Sequence, residues 1–154
     1  MRQRLIRDHS KNVVQIRRIK NYNKNTLKDL NALLLQLSSR GYQATPKQLK
    51  STLKNKNAYL ICLYDGKKIM GTVTLIVIHQ ITGYKGYIED VVVDEEYRRR
   101  GFGKKLILHI ISLAKKMSIE SLELKSENYR VVANILYKKL GFIIKEANVY
   151  SMKI

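Results

Sequence analysis

Two adjacent carboxylates interrupt an apolar run in the middle of the sequence. Glu89 and Asp90 stand in the segment IEDVVV. Charge is expensive to place in an apolar strand, and burial raises the pKa of a carboxyl towards neutrality, as a general base requires. Adjacent strand residues point to opposite faces, so only one of the two can face a reaction centre unless a bulge intervenes. The alternative is a structural ion pair with nearby basic residues.

A basic turn that contains two glycines follows this run. In YRRRGFGKKL, three arginines precede Gly101 and Gly103, and two lysines come after them. A glycine turn that opens a helix leaves backbone N–H groups unpaired beside the positive end of the helix dipole, which favours a bound anion. The spacing fits neither a P-loop nor the dinucleotide-binding fingerprint. A phosphate site and a basic connection without a ligand both remain open.

Hydrophobic periodicity predicts the elements that position these residues. Seven strands are predicted, over residues 13–19, 58–64, 69–79, 87–93, 121–125, 142–146 and 149–154. Four helices are predicted, over residues 25–40, 46–54, 101–117 and 131–140. Gly41 and Gly141 are expected to end helices, and Thr45 with Pro46 to begin one. Residues 65–68 read as a hairpin turn and residues 80–86 as a loop. This order predicts a mixed α/β domain with a central sheet.

The length of 154 residues suits one domain, which we expect over residues 13–154 after a mobile basic arm at residues 1–12. No secretory signal or membrane span is predicted. The single cysteine, Cys62, lies in the apolar segment AYLICLY and reads as a core residue rather than a nucleophile. The histidines are too far apart for a metal site, and a reducing cytoplasm fits this composition.

The net charge of +18 attracts polyanions, but it does not say which one. Nucleic acid, an anionic membrane and a phosphate-rich small molecule are all compatible with it. The excess charge is spread along the whole chain, and neither interleaved aromatic and basic residues nor a recognition-helix motif is found. A basic nucleic-acid-binding module is therefore the alternative function rather than the first.

Two motifs resemble the signatures of the GCN5-related N-acetyltransferase (GNAT) family. VVVDEEYRRRGFGKKLI is similar to its acetyl-CoA signature, with Arg98, Gly101 and Gly103 at the matching places. NILYKKLGF is similar to its second signature, a helix that carries Leu-Tyr and ends in Gly-Phe. The resemblance covers nearly the whole chain, and it implies a single-domain fold with a mixed, mostly antiparallel sheet of about seven strands and about four helices.

The resemblance also implies an acetyl-CoA-dependent N-acetyltransferase in which an amine attacks the thioester directly, without a metal or an enzyme nucleophile. It implies that Tyr137 protonates the departing thiolate, a role compatible with a phenol of reference pKa near 10. Glu89 then activates the amine, while Asp90 binds it or stabilises the sheet. The residues implied to bind the cosubstrate are Val91, Val92, Val93, Arg98, Arg99, Arg100, Gly101, Phe102, Gly103, Lys104, Arg130 and Asn134.

Arg130 is a departure from the pattern, because many family members carry asparagine seven residues before the tyrosine. Asn134 is an alternative source of an amide, and a solvated helix face is the alternative for both residues. IEDVVV also resembles the glucosamine-6-phosphate N-acetyltransferase branch, which points to a small anionic amine as acceptor. A protein or peptide amine, a coenzyme A sensor without catalysis, and a homodimer paired through the C-terminal strands stay open.

Overall fold

One twisted sheet organises the computed structural model, which describes residues 6–7, 13–38 and 40–154. Within these residues the sheet has six strands in the order β1-β2-β3-β4-β5-β6. The strands are β1 Ile6–Arg7, β2 Val13–Arg18, β3 Ala58–Asp65, β4 Lys68–Gln80, β5 Gly83–Val93 and β6 Ser121–Leu124. All neighbours pair antiparallel except β5 and β6, which pair parallel. The predicted mixed, mostly antiparallel sheet is confirmed.

Four α-helices are present in the described part of the chain. They are α1 Lys24–Leu37, α2 Pro46–Lys54, α3 Phe102–Lys116 and α4 Val131–Lys139, with a 3₁₀ turn at Glu95–Tyr97. The predicted start of α2 is confirmed, since Thr45 and Gln48 form a reciprocal capping box ahead of Pro46. Gly41, in contrast, does not end α1. The helix stops at Leu37, where Ser38 accepts a hydrogen bond from the Arg40 amide and so competes with the helical pattern.

Apolar side chains cover both faces of the sheet and form two cores. On one face, Leu106, Ile107 and Ile110 of α3 pack with Val73 and Leu75 of β4. On the other face, three buried leucines of α1 pack with Leu49, Leu60 and Cys62; they are Leu27, Leu30 and Leu33. Strand alternation separates the two sets, since successive residues of a strand point to opposite faces.

The predicted loop at residues 80–86 is a tight hairpin instead. β4 extends to Gln80 and β5 starts at Gly83, so only Ile81 and Thr82 form the turn. Gly83 has a φ of +133°, a backbone conformation that is open to glycine and strained for other residues. The two glycines that suggested a loop have different roles. Gly83 belongs to the turn, whereas Gly86 lets β6 approach closely, because an added Cβ would lie 2.6 Å from the Leu122 side chain.

The two C-terminal strands predicted at residues 142–146 and 149–154 are not formed. The other five predicted strands are found, and β1 adds one that was not predicted, so the described chain has six strands rather than about seven. Residues 142–154 carry no regular secondary structure, although their composition favours strands. A strand needs a partner for its backbone groups, and no strand of the described chain pairs with this segment. Lys145 forms an ion pair with Glu123 on β6, and Phe142 packs against the core beside α3.

The predicted N-terminal arm at residues 1–12 lies outside the described residues except for Ile6–Arg7. That pair forms β1, which is hydrogen-bonded antiparallel to the start of β2, with Ile6 opposite Val14. The boundary predicted at residue 13 therefore stays a prediction.

Candidate functional site

A gap opens in the sheet where β5 and β6 part. Their parallel pairing ends at Ile88 opposite Leu124, and β5 continues for five residues, to Val93, without a β6 partner. Val92 and Val93 remain paired with β4 on the other side. We call this opening beside residues 89–93 the β5–β6 gap. Its β5 edge offers backbone N–H and C=O groups to an extended ligand.

A β-bulge lies in β5 at the edge of this gap. Thr74 pairs with Glu89 and Thr72 with Val92, so two β5 residues oppose the single residue between the threonines. Asp90 takes up the extra length with a φ of +53°, which is rare for a residue other than glycine. Strained backbone of this kind is concentrated at functional sites.

The bulge reverses the face of the sheet to which the following side chains of β5 point. Ile88 packs in the core beside α3, whereas Val92, four residues later, packs in the core beside α1. In a regular strand these two side chains would share a face. The reversal also brings both carboxylates to the α1 side: Glu89 sits directly opposite Thr74, and Asp90 lines a cleft together with Thr74. The condition stated from the sequence, that a bulge must intervene, is met.

The Asp90 cleft is small and largely apolar. Its volume is about 100 Å³, and its walls come from α1, α2 and the β3–β5 part of the sheet. Thr74 Oγ1 donates to Asp90 Oδ2 at 3.5 Å, the long limit of a hydrogen bond. Leu30, Leu34 and Leu49 line the cleft as well. A cleft of this size accepts the amine end of a ligand rather than a bulky group.

Both residues are exposed overall, but neighbouring protein atoms desolvate their carboxylates in part. Partial desolvation raises the pKa of Asp90, against a smaller lowering by the Thr74 hydrogen bond. Desolvation also raises the pKa of Glu89, and the negative charge of Asp90 raises it further, while Lys125 lowers it. The environment thus shifts both groups in the direction that a general base needs.

Tyr137 lies on the opposite side of the sheet from the carboxylates. It is 9% exposed, belongs to the core beside α3, and meets Phe142 edge-to-face at 5.9 Å between ring centroids. Desolvation raises the pKa of the phenol and the charge of Arg130 lowers it. The net shift keeps the phenol protonated at neutral pH.

The arginine–glycine loop, residues 98–104, connects the end of β5 to α3. Arg99 and Gly101 both have positive φ, at +63° and +77°, and Gly101 is the N-cap of α3. It supplies no side-chain cap, and the first hydrogen bond of the helix runs from Lys105 N to the Gly101 carbonyl. Residues 102–104 thus direct unpaired N–H groups outwards, and a Cβ added at Gly101 would meet no atom within 4 Å. This geometry suits a phosphate.

The three arginines of the loop differ in their contacts. Arg98 donates to the Val93 carbonyl at 3.0 Å and to Gln36 Oε1 of α1 at 3.3 Å. Arg100 donates to the Glu96 carbonyl at 3.2 Å. These contacts hold the loop against the end of β5, and Gln36 is a residue that the sequence did not indicate. Arg99 and Lys104 are exposed, whereas the Phe102 side chain is buried in the core, so only its backbone can reach a ligand.

Arg130 and Asn134 both hold the segment that begins α4. The Arg130 guanidinium donates to the Leu37 carbonyl at the C-terminus of α1, where helical carbonyls lack partners. Asn134 Nδ2 donates to the Glu127 carbonyl at 3.0 Å. Arg130 thereby joins α4 to α1 across the mouth of the site. A contact of either residue with the cosubstrate stays a prediction.

Ser126 Oγ is buried and has no hydrogen-bond partner among the described residues. It lies two residues beyond the last paired residue of β6, beside the β5–β6 gap. A buried hydroxyl without a partner costs stability, because it loses its hydration without compensation. We expect Ser126→Ala to leave the free energy of unfolding unchanged or to raise it by about 1 kcal/mol, measured by urea denaturation.

The matched comparison for this prediction is Thr72→Val. The Thr72 hydroxyl is also buried, but it donates to the Ile61 carbonyl at 3.2 Å. Its removal should lower the free energy of unfolding by about 1 kcal/mol. A loss of similar size in both variants would contradict the assignment of Ser126 as unpartnered.

The remaining candidates from the sequence do not enter the site. Cys62 is fully buried in the core beside α1, and desolvation raises the pKa of its thiol to about 12, so it is not a nucleophile. In residues 6–7, 13–38 and 40–154, no group of three His, Cys, Asp or Glu side chains is arranged to hold a metal ion. No helix within those same residues is long and apolar enough to cross a membrane.

Comparison with known proteins identifies one family. The model of the acetyltransferase (GNAT) family matches residues 27–142, which contain the bulge, the arginine–glycine loop and Tyr137. Among curated proteins, an N-acetyltransferase of Bacillus subtilis named YvbK is 36% identical over 58 residues, covering 38% of this chain and 37% of that protein. The ribosomal protein bS18-alanine N-acetyltransferase of Escherichia coli is 30% identical over 78 residues, covering 51% and 49%. The matches thus span half or less of these relatives.

Solved structures share the fold at low sequence identity. An aminoglycoside acetyltransferase from an uncultured soil metagenomic sample superposes with a TM-score of 0.78 at 21% identity, covering 92% of this chain and 95% of that one. Glucosamine-6-phosphate N-acetyltransferase from Arabidopsis thaliana superposes with a TM-score of 0.74 at 22% identity, covering 90% and 97%. At these identities the likeness concerns the fold alone.

Proposed function

This chain belongs to the GNAT acetyltransferase family, and from that premise we propose that it transfers an acetyl group from acetyl-CoA to a primary amine. The observation that carries the proposal is the β5–β6 gap next to the arginine–glycine loop. The gap exposes the edge of residues 89–93, and the loop presents the unpaired N–H groups of residues 102–104 beside exposed basic side chains. An extended chain that ends in a pyrophosphate fits this combination.

The residues present fit acetyl-CoA, which supplies the acetyl thioester when it is bound. The backbone of Val91, Val92 and Val93 would hold the pantetheine arm, and the loop from Arg98 to Lys104 would hold the pyrophosphate. Binding along a rigid strand supplies proximity, since it replaces a bimolecular encounter by a fixed geometry. A backbone N–H of the same strand would polarise the carbonyl that is attacked.

Two groups on opposite sides of the gap would then move the protons. Glu89 removes a proton from the acceptor amine, directly or through water, while Asp90 binds the amine in the small cleft beside Thr74. Tyr137 donates its phenolic proton to the sulfur as the carbon–sulfur bond breaks. The raised pKa values of both carboxylates support the first assignment, and the phenol is protonated at neutral pH, as a proton donor must be.

We further propose that the acceptor is a small anionic amine, of which an amino-sugar phosphate is an example. The net charge of +18 supports this choice, because it disfavours a polycationic acceptor. The single cysteine suits a reducing compartment, and we propose the cytoplasm as the location. A homodimer is a final element, supported by the exposed apolar side chains at the C-terminus, among them Ile143, Ile144, Tyr150 and Met152.

The test is thermal unfolding with and without acetyl-CoA, at moderate salt, with a polyphosphate as control. Acetyl-CoA at about 100 times its dissociation constant should stabilise the protein by about 2.7 kcal/mol, which raises Tm by roughly 5–10 °C. The polyphosphate should stabilise less, because it cannot pair with the strand edge. If the two ligands stabilise the protein equally, the loop binds anions without preference for acetyl-CoA, and the nucleic-acid alternative is favoured.

A further inference from the structure

A second, more polar cavity lies between the connection that follows α1 and the connection that follows β6. Its volume is about 390 Å³, which lies within the range of small-molecule sites. Six residues line this arginine–tyrosine cavity, namely Ser38, Arg40, Tyr42, Glu127, Tyr129 and Arg130. The first three belong to the connection between α1 and α2, and the last three to the connection between β6 and α4.

The two cavities have no lining residue in common, but their linings are close along the chain. Leu34 of α1 lines the Asp90 cleft, and Ser38, about one helical turn later, lines the arginine–tyrosine cavity. In the α1–α2 connection, Ala44 lines the Asp90 cleft and Tyr42 lines the arginine–tyrosine cavity. This closeness is the reason to consider one molecule with one end at Asp90 and the other end in the larger cavity.

The chemistry of the larger cavity favours an anion. Arg40 and Arg130 contribute two positive charges to the lining and Glu127 contributes one negative charge, so the lining carries a net positive charge. The contact with the Leu37 carbonyl holds the Arg130 guanidinium in place, and the guanidinium lies 5.9 Å from the centre of the Tyr129 ring. A guanidinium held in this way binds a carboxylate or a phosphate in a defined orientation.

The two tyrosines add a flat, exposed lining. Tyr42 is 64% exposed and Tyr129 is 74% exposed, although large aromatic side chains are usually buried. Tyrosine combines an apolar ring with a hydroxyl that donates a hydrogen bond, and this combination is common at binding surfaces. Their exposure on both connections that border the cavity is unexplained by packing in the folded chain.

We propose that the arginine–tyrosine cavity is an acceptor subsite, in which Arg40 and Arg130 bind a carboxylate or phosphate group of the same molecule whose amine sits at Asp90. The proposal rests on the proposed function, because it assigns the Asp90 cleft to the acceptor amine. It adds the residues that would select the substrate class, and it divides the acceptor between an amine end and an anionic end.

The experiment compares amines that differ only in their anionic group. One pair is glucosamine and glucosamine 6-phosphate, and the other is an amino acid and its carboxamide. We expect kcat/KM for the anionic member of at least one pair to be about 10- to 100-fold higher, as a charge-assisted hydrogen bond to a fixed guanidinium implies. The pair that shows this preference identifies the anion as phosphate or carboxylate.

Four variants test whether the cavity produces this preference. Arg40→Gln should raise KM for the preferred anionic amine about 10-fold with little change in kcat, and Glu127→Gln should lower that KM. Lys67→Gln, in the exposed β3–β4 turn, removes the same charge far from the cavity in sequence and should leave KM unchanged. For Arg130→Gln, stability should be measured as well as KM, because the Arg130 side chain also contacts the C-terminus of α1.

The result that would overturn the subsite is equal use of charged and neutral amines, or a KM that rises no more in Arg40→Gln than in Lys67→Gln. Efficient acetylation of a peptide N-terminus without a nearby anion would also overturn it, and would favour a protein acceptor. Stabilisation by acetyl-CoA is measured on the same samples. If acetyl-CoA still stabilises the protein, the subsite is wrong but the proposed function is not. If acetyl-CoA neither stabilises the protein nor acetylates any amine, both proposals fall.

Discussion

Tyr137→Phe should lower kcat for acetyl transfer by about 100-fold or more while binding of acetyl-CoA is retained. The substitution removes only the phenolic hydroxyl, and general acid catalysis contributes factors of about 10² to 10⁴. The phenylalanine ring fills the same space in the core and keeps the edge-to-face contact with Phe142, so folding should be preserved. Release of the free thiol measures turnover, and the rise in Tm with acetyl-CoA measures binding.

The control for this prediction is Tyr150→Phe, which removes a hydroxyl from a side chain that is 88% exposed in the C-terminal segment. Its kcat should equal that of the unmodified protein. An unchanged kcat in Tyr137→Phe would mean that Tyr137 only packs α4 against the sheet. Acetyl-CoA binding without turnover in the unmodified protein, whatever the amine, would instead support a coenzyme A sensor.

Glu89→Gln should lower kcat/KM by about 100-fold or more and should abolish the acid limb of the pH–rate profile. Desolvation and the charge of Asp90 raise the pKa of Glu89, so the unmodified protein loses its base as pH falls through that raised pKa. Glutamine has the same shape but cannot accept a proton. Measuring kcat/KM across pH for both proteins tests the assignment.

Asp90→Asn is the matched comparison, because the two carboxylates are adjacent and lie on the same side of the sheet. If Asp90 binds the amine, this variant should raise KM and keep the acid limb that Glu89 produces. Loss of the acid limb in Asp90→Asn but not in Glu89→Gln would exchange the two roles. Asparagine tolerates positive φ, so the bulge at this position should be preserved.

Both variants should also increase stability at neutral pH. A carboxyl whose pKa is raised by folding binds its proton more tightly in the folded state than in the unfolded state. The free energy of unfolding therefore falls as pH rises from the unfolded pKa through the folded one, and the destabilisation is fully present above both. A neutral amide at either position removes this destabilisation. A loss of activity together with a higher Tm would therefore show that the two carboxylates serve function rather than stability.

Local patterns in the sequence were sufficient for most of the fold. The apolar stripe of α3, the capping box before Pro46 and the hairpin turn at residues 65–68 depend on neighbouring residues, and each is found in the structure. The arginine–glycine loop was predicted for the same reason, since its unpaired N–H groups follow from a glycine that opens a helix. Where a pattern had two local explanations, as for the glycines of residues 80–86, the prediction failed.

Features that depend on distant partners were decided by the tertiary structure. The C-terminal segment has strand composition, but a strand forms only where another strand offers free backbone groups, and local sequence does not determine this. The residues that α1 contributes to the site could not be predicted from the sequence either. Gln36 meets Arg98 across 62 positions of the chain, and the Leu37 carbonyl meets Arg130 across 93.

The sequence by itself determined which groups are candidates for the chemistry, because residue type and local spacing indicate a carboxylate pair, a phenol and a loop suited to an anion. Only the tertiary structure decided how they are combined. The bulge at Asp90 turns both carboxylates to the α1 side, and the early end of the β5–β6 pairing opens the sheet between them and Tyr137. Both features depend on register between strands, which is set by long-range packing rather than by the residues of one strand.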